Sequence, residues 1–375
     1  MKRFLTYCCL LALATLLSCT REEVPAPLCG PGSTLELHFS TVGLQSTKAT
    51  TPGDGDPADG GGIAGTTDNP DLVILIANNI TGDANYGNIV MAYPTTGSLE
   101  GGFTANDTDA TIKFDFSEKP AGEYIVYAFG NTAGLWDMTT DGSDSYSGAT
   151  LTTLTTAAQV EALKFKTSVV TSEGVALKNG RLPVSAKTTL TVSDEGKNGD
   201  AYLELLRCVA KVTAIIKNNT LEEIDLYNYT HTVHGMNPNA GWVIPHENDT
   251  PGTAGNLVAD PCTKYSDPDY VIPISSDSSI PYNWYVFPSN GPYTIDIQFT
   301  LNKGNSEPED PSDPPAEKTY TSTNLPVTNW RAVNIPALAR NQHITVTTRI
   351  SKGLTVSFNF EISDWTTHTA SVEFL

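Results

Sequence analysis

Residues 33–49 read STLELHFSTVGLQSTKA (Ser33–Ala49). Leu35, Leu37 and Phe39 alternate with Glu36, His38 and Ser40. That two-residue period marks a strand with one buried face. The strand follows an apolar N-terminal segment and precedes a long polar run, with Lys48 between. A strand so placed reads as a removable plug. It completes a sheet until the chain is cut between Lys48 and Ala49, and its loss opens a groove for another chain.

Upstream, Met1–Ser18 carries Lys2 and Arg3 and then an apolar run from Leu10 to Leu17. The run is too short to span a bilayer and reads as a secretion signal. It ends in Leu16-Leu17-Ser18-Cys19, similar to a bacterial lipobox. Such a motif implies cleavage before Cys19 and acylation (palmitate among the chains) of that residue. Several acyl chains, at about 0.8 kcal/mol per buried methylene, would hold a precursor on a membrane.

The chain has 375 residues, enough for two domains with separate cores. Short apolar runs rich in β-branched residues are separated by Gly, Asn and Asp, which points to an all-β chain with minor α. Formal charge is -20. Loss of Lys2 and Arg3 with the signal makes it about -22. That balance excludes nucleic acid as a partner. Of six cysteines, Cys29, Cys208 and Cys262 remain beyond Cys19, without a C-x-x-C pair, so no zinc site is expected. Cys208 lies in a strand pattern and reads as a small buried hydrophobe.

Taken in order, residues 1–18 are a signal peptide and 19–48 a lipid-anchored propeptide containing the plug. Residues 49–69, with GDGDPADGGG, read as a flexible linker. A β domain is expected over 70–198 and a second over 199–375. DLVILIAN (Asp71–Asn78) is apolar without alternation and reads as a strand buried on both sides. Residues 110–116 and 123–131 read as strands, and Thr156–Lys166 as a helix with Val160 and Leu163 inward. Leu354, Val356, Phe358, Phe360 and Ile362 share one face by alternation, as do Ala370, Val372 and Phe374. This apolar tail reads as a strand to be donated elsewhere.

No H-E-x-x-H, G-x-S-x-G, Walker or dinucleotide motif is present, so neither an enzyme nor a cofactor is expected. Trp136, Trp242, Trp284, Trp330 and Trp365 read as packing aromatics; a sugar platform is the alternative.

The order of these motifs resembles the FimA-type fimbrillins of Bacteroidetes bacteria over nearly the whole length. The matching pieces are Cys19, the strand followed by Lys48, DLVILIAN, YIVYAFGNTAG (Tyr124–Gly134) and RCVAKVTAIIKN (Arg207–Asn218). ARNQHITVTTRI (Ala339–Ile350) and SDWTTHTASVEFL (Ser363–Leu375) complete the series. The resemblance implies two consecutive β-sandwich-like domains of the fimbrillin type. It implies an outer-membrane lipoprotein precursor whose first strand is removed by a trypsin-like protease. A terminal strand from the next subunit then fills the groove, building a cell-surface pilus that supports adhesion and virulence. Partners would be further copies, related fimbrial subunits, and host glycans or proteins. The family's cut follows Arg, whereas this chain has Lys48. A tip adhesin, a membrane anchor that keeps residues 19–48, and a glycan-binding surface lipoprotein are the alternatives.

Overall fold

The computed structural model describes residues 26–40, 63, 65–66, 69–101, 109–132, 138–140, 146, 148–166, 170–171, 174–175, 182–194, 199–219, 224–234, 241–245, 262–265, 270–272, 279–288, 294–303, 318–326, 339–351 and 355–364. Cys19, Lys48, Ala49, Leu354, Ala370, Val372 and Phe374 lie outside them.

The first half opens with β1 (Thr34–Ser40), a short pair β2 (Gly65–Thr66) and β3 (Asn69–Pro70), and β4 (Leu72–Asn78). There follow β5 (Ile89–Tyr93), β6 (Gly97–Glu100), β7 (Asp109–Asp115) and β8 (Gly122–Gly130). Next come β9 (Met138–Thr139), helix α1 (Ala157–Glu161), β10 (Lys164–Phe165), β11 (Val170–Thr171) and β12 (Gly174–Val175). β13 (Val184–Val192), β14 (Gly199–Glu204) and β15 (Leu206–Arg207) complete this half. One sheet runs β14-β1-β7-β6 and the other β15-β13-β8-β4-β5.

The two sheets share one core. Leu35, Leu37 and Phe39 pack in a cluster with Ile112 and Phe114, Leu203, and Ile74, Val126 and Ala186. All seven residues of β4 are buried. Leu72, Ile74 and Ile76 belong to this cluster, while Val73, Leu75 and Ala77 belong to a second one behind the sheet. Two apolar layers, one per face, explain a strand without alternation.

α1 is shorter than the periodicity predicts. A capping box between Thr156 and Gln159 starts it, and the chain leaves at Ala162. Lys164 and Phe165 are drawn into a ladder with β9, which ends the helix. Val160 and Leu163 are nonetheless fully buried in the second cluster.

The second half has β16 (Ala210–Asn219), β17 (Ile224–His234), β18 (Cys262–Tyr265), β19 (Tyr270–Ile272) and β20 (Ser279–Val286). β21 (Thr294–Lys303), β22 (Lys318–Pro326), β23 (Gln342–Ser351) and β24 (Thr355–Asp364) follow. Its sheets run β20-β16-β23-β24 and β18-β17-β21-β22, with β19 also on β17. The chain is all-β apart from α1 and a 3-10 turn, among the described residues.

Two expected boundaries move. β14 and β15 hydrogen-bond in the first pair of sheets, so the break placed at 198/199 falls two strands early. Charge and turn residues at 196–199 signalled a loop, but loops also join strands within a domain. The expected flexible linker, 49–69, includes Ile63, which is buried in the first core, and Gly65–Thr66, which pairs with Asn69–Pro70. Residues 49–62 lie outside the described set.

The halves meet behind β4 and β8. Tyr127 and Phe129 pack there with Cys208, Val209, Val243, Ile244, Tyr285 and Phe287. Arg340, buried just before β23, donates to Ser185 Oγ at 3.1 Å and to the carbonyls of Trp242 and Ile244 at 3.0 and 3.2 Å. Cys208 is buried against Ser185 and the Val243 carbonyl, as the sequence predicts.

Candidate functional site: the seat of the first strand

β1 does not cap the sheet; it lies inside it. Seven register pairs join it antiparallel to β7, from Thr34 opposite Asp115 to Ser40 opposite Asp109. Six pairs join it parallel to β14, from Leu35 opposite Gly199 to Ser40 opposite Glu204. The hydrogen-bonding groups on both of its sides therefore face a partner strand. Leu35, Leu37 and Phe39 are 1%, 0% and 1% exposed. The opposite face is polar. Glu36 meets Lys113 Nζ at 3.3 Å, and His38 Nδ1 lies 3.0 Å from Thr111 Oγ1. The His38 ring stacks on the exposed Tyr202, with centroids 4.6 Å apart.

The seat continues upstream. The prolines at 25, 27 and 31 predict only an extended tether, but residues 27–33 run along the turn between β7 and β8. Ala121 N–H donates to the Pro27 carbonyl, and Cys29 N–H to the Lys119 carbonyl. Glu118 N–H returns a bond to Cys29, and Phe116 N–H donates to Ser33. Gly32 N–H donates to Ser117 Oγ at 2.9 Å. Asp115 accepts from Ser117, and these bonds hold its carboxyl below the usual carboxylate range. Cys29 is a buried free thiol, 3.6 Å from the Ser193 carbonyl. Burial pushes the thiol pKa up, and the nearby Asp194 carboxylate adds to this. Tyr124, edge-on to Phe116, donates its hydroxyl proton to the Pro120 carbonyl, and burial raises its pKa as well.

Of the expected donor residues, Val356, Phe358, Phe360 and Ile362 fall in β24. There they stand opposite Ile350, Thr348, Val346 and Ile344 of β23. Among the described residues β24 ends its sheet, pairing there on one side. The structure thus brings the plug residues together in one buried row and places the β24 residues in a different sheet.

Sequence reasoning names neither flanking strand as a partner of β1. β7 was visible as a strand, but a two-residue period does not name its partner. β14 was assigned to the second domain. Its apolar Ala201 and Leu203, alternating with Asp200, Tyr202 and Glu204, were the signal for a half-buried strand. Among the described residues no cluster of His, Cys, Asp and Glu is arranged to hold a metal ion. No helix among them is long and apolar enough to cross a membrane.

No protein-family model and no curated protein matches the chain. Among solved structures it is similar to a protein from Bacteroides eggerthii proposed to act in cell adhesion, at 12% identity and a TM-score of 0.48. That match covers 90% of this chain and 98% of the other. The tip fimbrial protein Mfa3 of Porphyromonas gingivalis matches at 11% identity and 0.46, over 89% and 99%. A fimbrilin, FimA, of Porphyromonas gingivalis matches at 11% identity and 0.45, over 89% and 98%.

Proposed function

We propose that this chain is a structural subunit of a cell-surface fimbria. In this reading it is made as a precursor lipidated at Cys19 and held on the outer membrane. Cutting between Lys48 and Ala49 releases residues 19–48, and a strand from a neighbouring copy takes the vacated place. The observation that carries the reading is the interior position of β1, bonded on two sides and buried along one face.

Leu35, Leu37 and Phe39 contribute on the order of 1.5–3 kcal/mol each when buried. Their departure leaves an apolar slot about 10 Å wide, twice the spacing of adjacent strands. β7 and β14 would each present an unpaired edge. Such edges capture extended chain. Donation runs from one copy to the next without closing, which makes a fibre. The C-terminal segment, β24 together with Ala370–Phe374, supplies the donor.

N-terminal sequencing of protein sheared from the cell surface tests the reading. A start at Ala49 is the expected result. A sheared form that begins at acylated Cys19 overturns the filament role and favours a membrane anchor.

A further inference from the structure

The seat has a polar face as well as an apolar one, and that face carries a charge pattern. The register partners of Thr34, Glu36, His38 and Ser40 are Asp115, Lys113, Thr111 and Asp109 on β7, and those of Glu36, His38 and Ser40 on β14 are Asp200, Tyr202 and Glu204. Lys113 is the one basic residue among these register partners. An incoming acidic side chain meets a cation only where Glu36 now sits, between Lys113 on one side and Asp200 on the other. At the other outward places it faces Asp109, Asp115 or Glu204, or the Thr111–Tyr202 pair. Like charges across a ladder oppose pairing, and opposite ones support it.

We infer that Lys113 sets the register of the strand that replaces β1, and that the buried row of the seat sets its direction. The strand it selects is β24 of a second copy, seated with Glu361 at the place of Glu36 and running opposite to β1. This deepens the proposed function and rests on it.

The plug reads Leu35-Glu36-Leu37-His38-Phe39. β24 read backwards gives Ile362-Glu361-Phe360-Asn359-Phe358. Both strings have a glutamate between apolar residues, then a polar residue, then Phe at the third core position. Read forwards with Glu361 at the same place, β24 would put Asp364 where Phe39 is buried. An unpaired carboxylate in the middle of that core is strongly unfavourable, whereas backwards Asp364 falls one place before the start of β1, at the position of Ser33. The tail triplet Val372-Glu373-Phe374 also carries a glutamate, but backwards it sets Ala370 at the Phe39 place. That leaves most of a phenylalanine's volume unfilled. Transfer of β24 also improves its pairing, from one neighbour at a sheet edge to two in the seat.

The test uses the full chain with a specific protease sequence inserted between Gly43 and Thr50, cut in solution. Labelled peptides then compete with the freed strand, and retention is read by fluorescence anisotropy. The probes are residues 355–364, the same peptide with Glu361→Lys, and residues 366–375. The cut chain is expected to retain the 355–364 peptide. Lys113→Glu should weaken retention by up to about fivefold, and the Glu361→Lys peptide should restore it, since exposed pairs are worth up to ~1 kcal/mol. The uncut Glu36→Lys, Lys113→Glu double variant checks folding through its unfolding midpoint. A photo-cross-linker on the N-terminus of the 355–364 peptide should mark Asp109 and Glu204; marking Asp115 and Gly199 overturns the direction. Equal retention by both charge variants overturns the role of Lys113. Tighter retention of the 366–375 peptide overturns the choice of β24. Retention of no peptide by the cut wild-type chain overturns the seat itself.

Discussion

β1 and β24 are both amphipathic strands, yet the fold treats them oppositely. β1 has seven residues, sits between two strands and lays three side chains into the core. β24 has ten residues and, among the described residues, ends its sheet with β23 as its one neighbour there. A strand bonded on both sides leaves only when something else cuts or displaces it. An edge strand can peel without breaking the sheet behind it. If a strand passes between copies, the seat belongs to the first and the donor to the second.

The largest effect expected concerns the seat. Phe39→Ala removes a fully buried ring from the shared core. The uncut chain should lose about 3–5 kcal/mol of stability, read as a lower urea midpoint. Once the chain is cut at Lys48, the variant plug should exchange faster than the wild type. A midpoint unchanged within error would show that β1 does not stabilise the first core.

The comparison also requires that β23 stay in place while β24 moves. Arg340 lies two residues before β23 and ties it to Ser185 of the first half and to the carbonyls of Trp242 and Ile244, in a segment whose backbone bonds to Leu163 and Phe165 of the first half. Arg340→Leu leaves those buried acceptors without their donor. A loss of about 2–3 kcal/mol is expected. Separate unfolding of the two halves should appear as two transitions in calorimetry. A single transition at the wild-type temperature would dismiss the clamp.

Deleting residues 370–375 probes the other end of the comparison. The chain should remain a folded monomer with β1 in place. If β24 alone completes the seat, cutting that variant still yields filaments. If filaments are lost, the donor needs the tail beyond β24.

Much of this was legible in the sequence, for a local reason. Alternation in 34–40 and its absence in 71–78 report which faces are buried, and burial is a property of the strand itself. The pairing is not. β1 meets β14 across more than 150 positions of chain, and nothing in Gly199–Glu204 marks it as the partner of one strand over another. The same residues lie in a turn-rich, charged neighbourhood, which drew the domain boundary to the wrong side of them. The prolines within residues 20–32 read as marking a tether, and residues 27–32 of it are seated. Their backbone bonds to 116–121 depend on a hairpin turn that their own sequence does not encode.

The smallest effect expected is a pH dependence of plug release, and it separates the two strands by chemistry. Cys29 is buried against the β7–β8 turn, with its pKa pushed above the ordinary thiol value by burial and by Asp194. When residues 19–48 leave, the thiol enters water and its pKa falls back to about 8.5. A group whose seated pKa is raised favours the seated state fully below the free value. That preference declines as pH rises past the free value and is lost by the seated one. Release after cutting should therefore be constant from neutral pH to about 8 and become easier above about 9. Cys29→Ala should flatten the alkaline limb without altering the neutral rate by more than its own packing loss. β24 has no cysteine, so displacement of a β24 peptide from the opened seat should show no such limb. An identical alkaline limb in the Cys29→Ala plug would assign it to another group that titrates in that range.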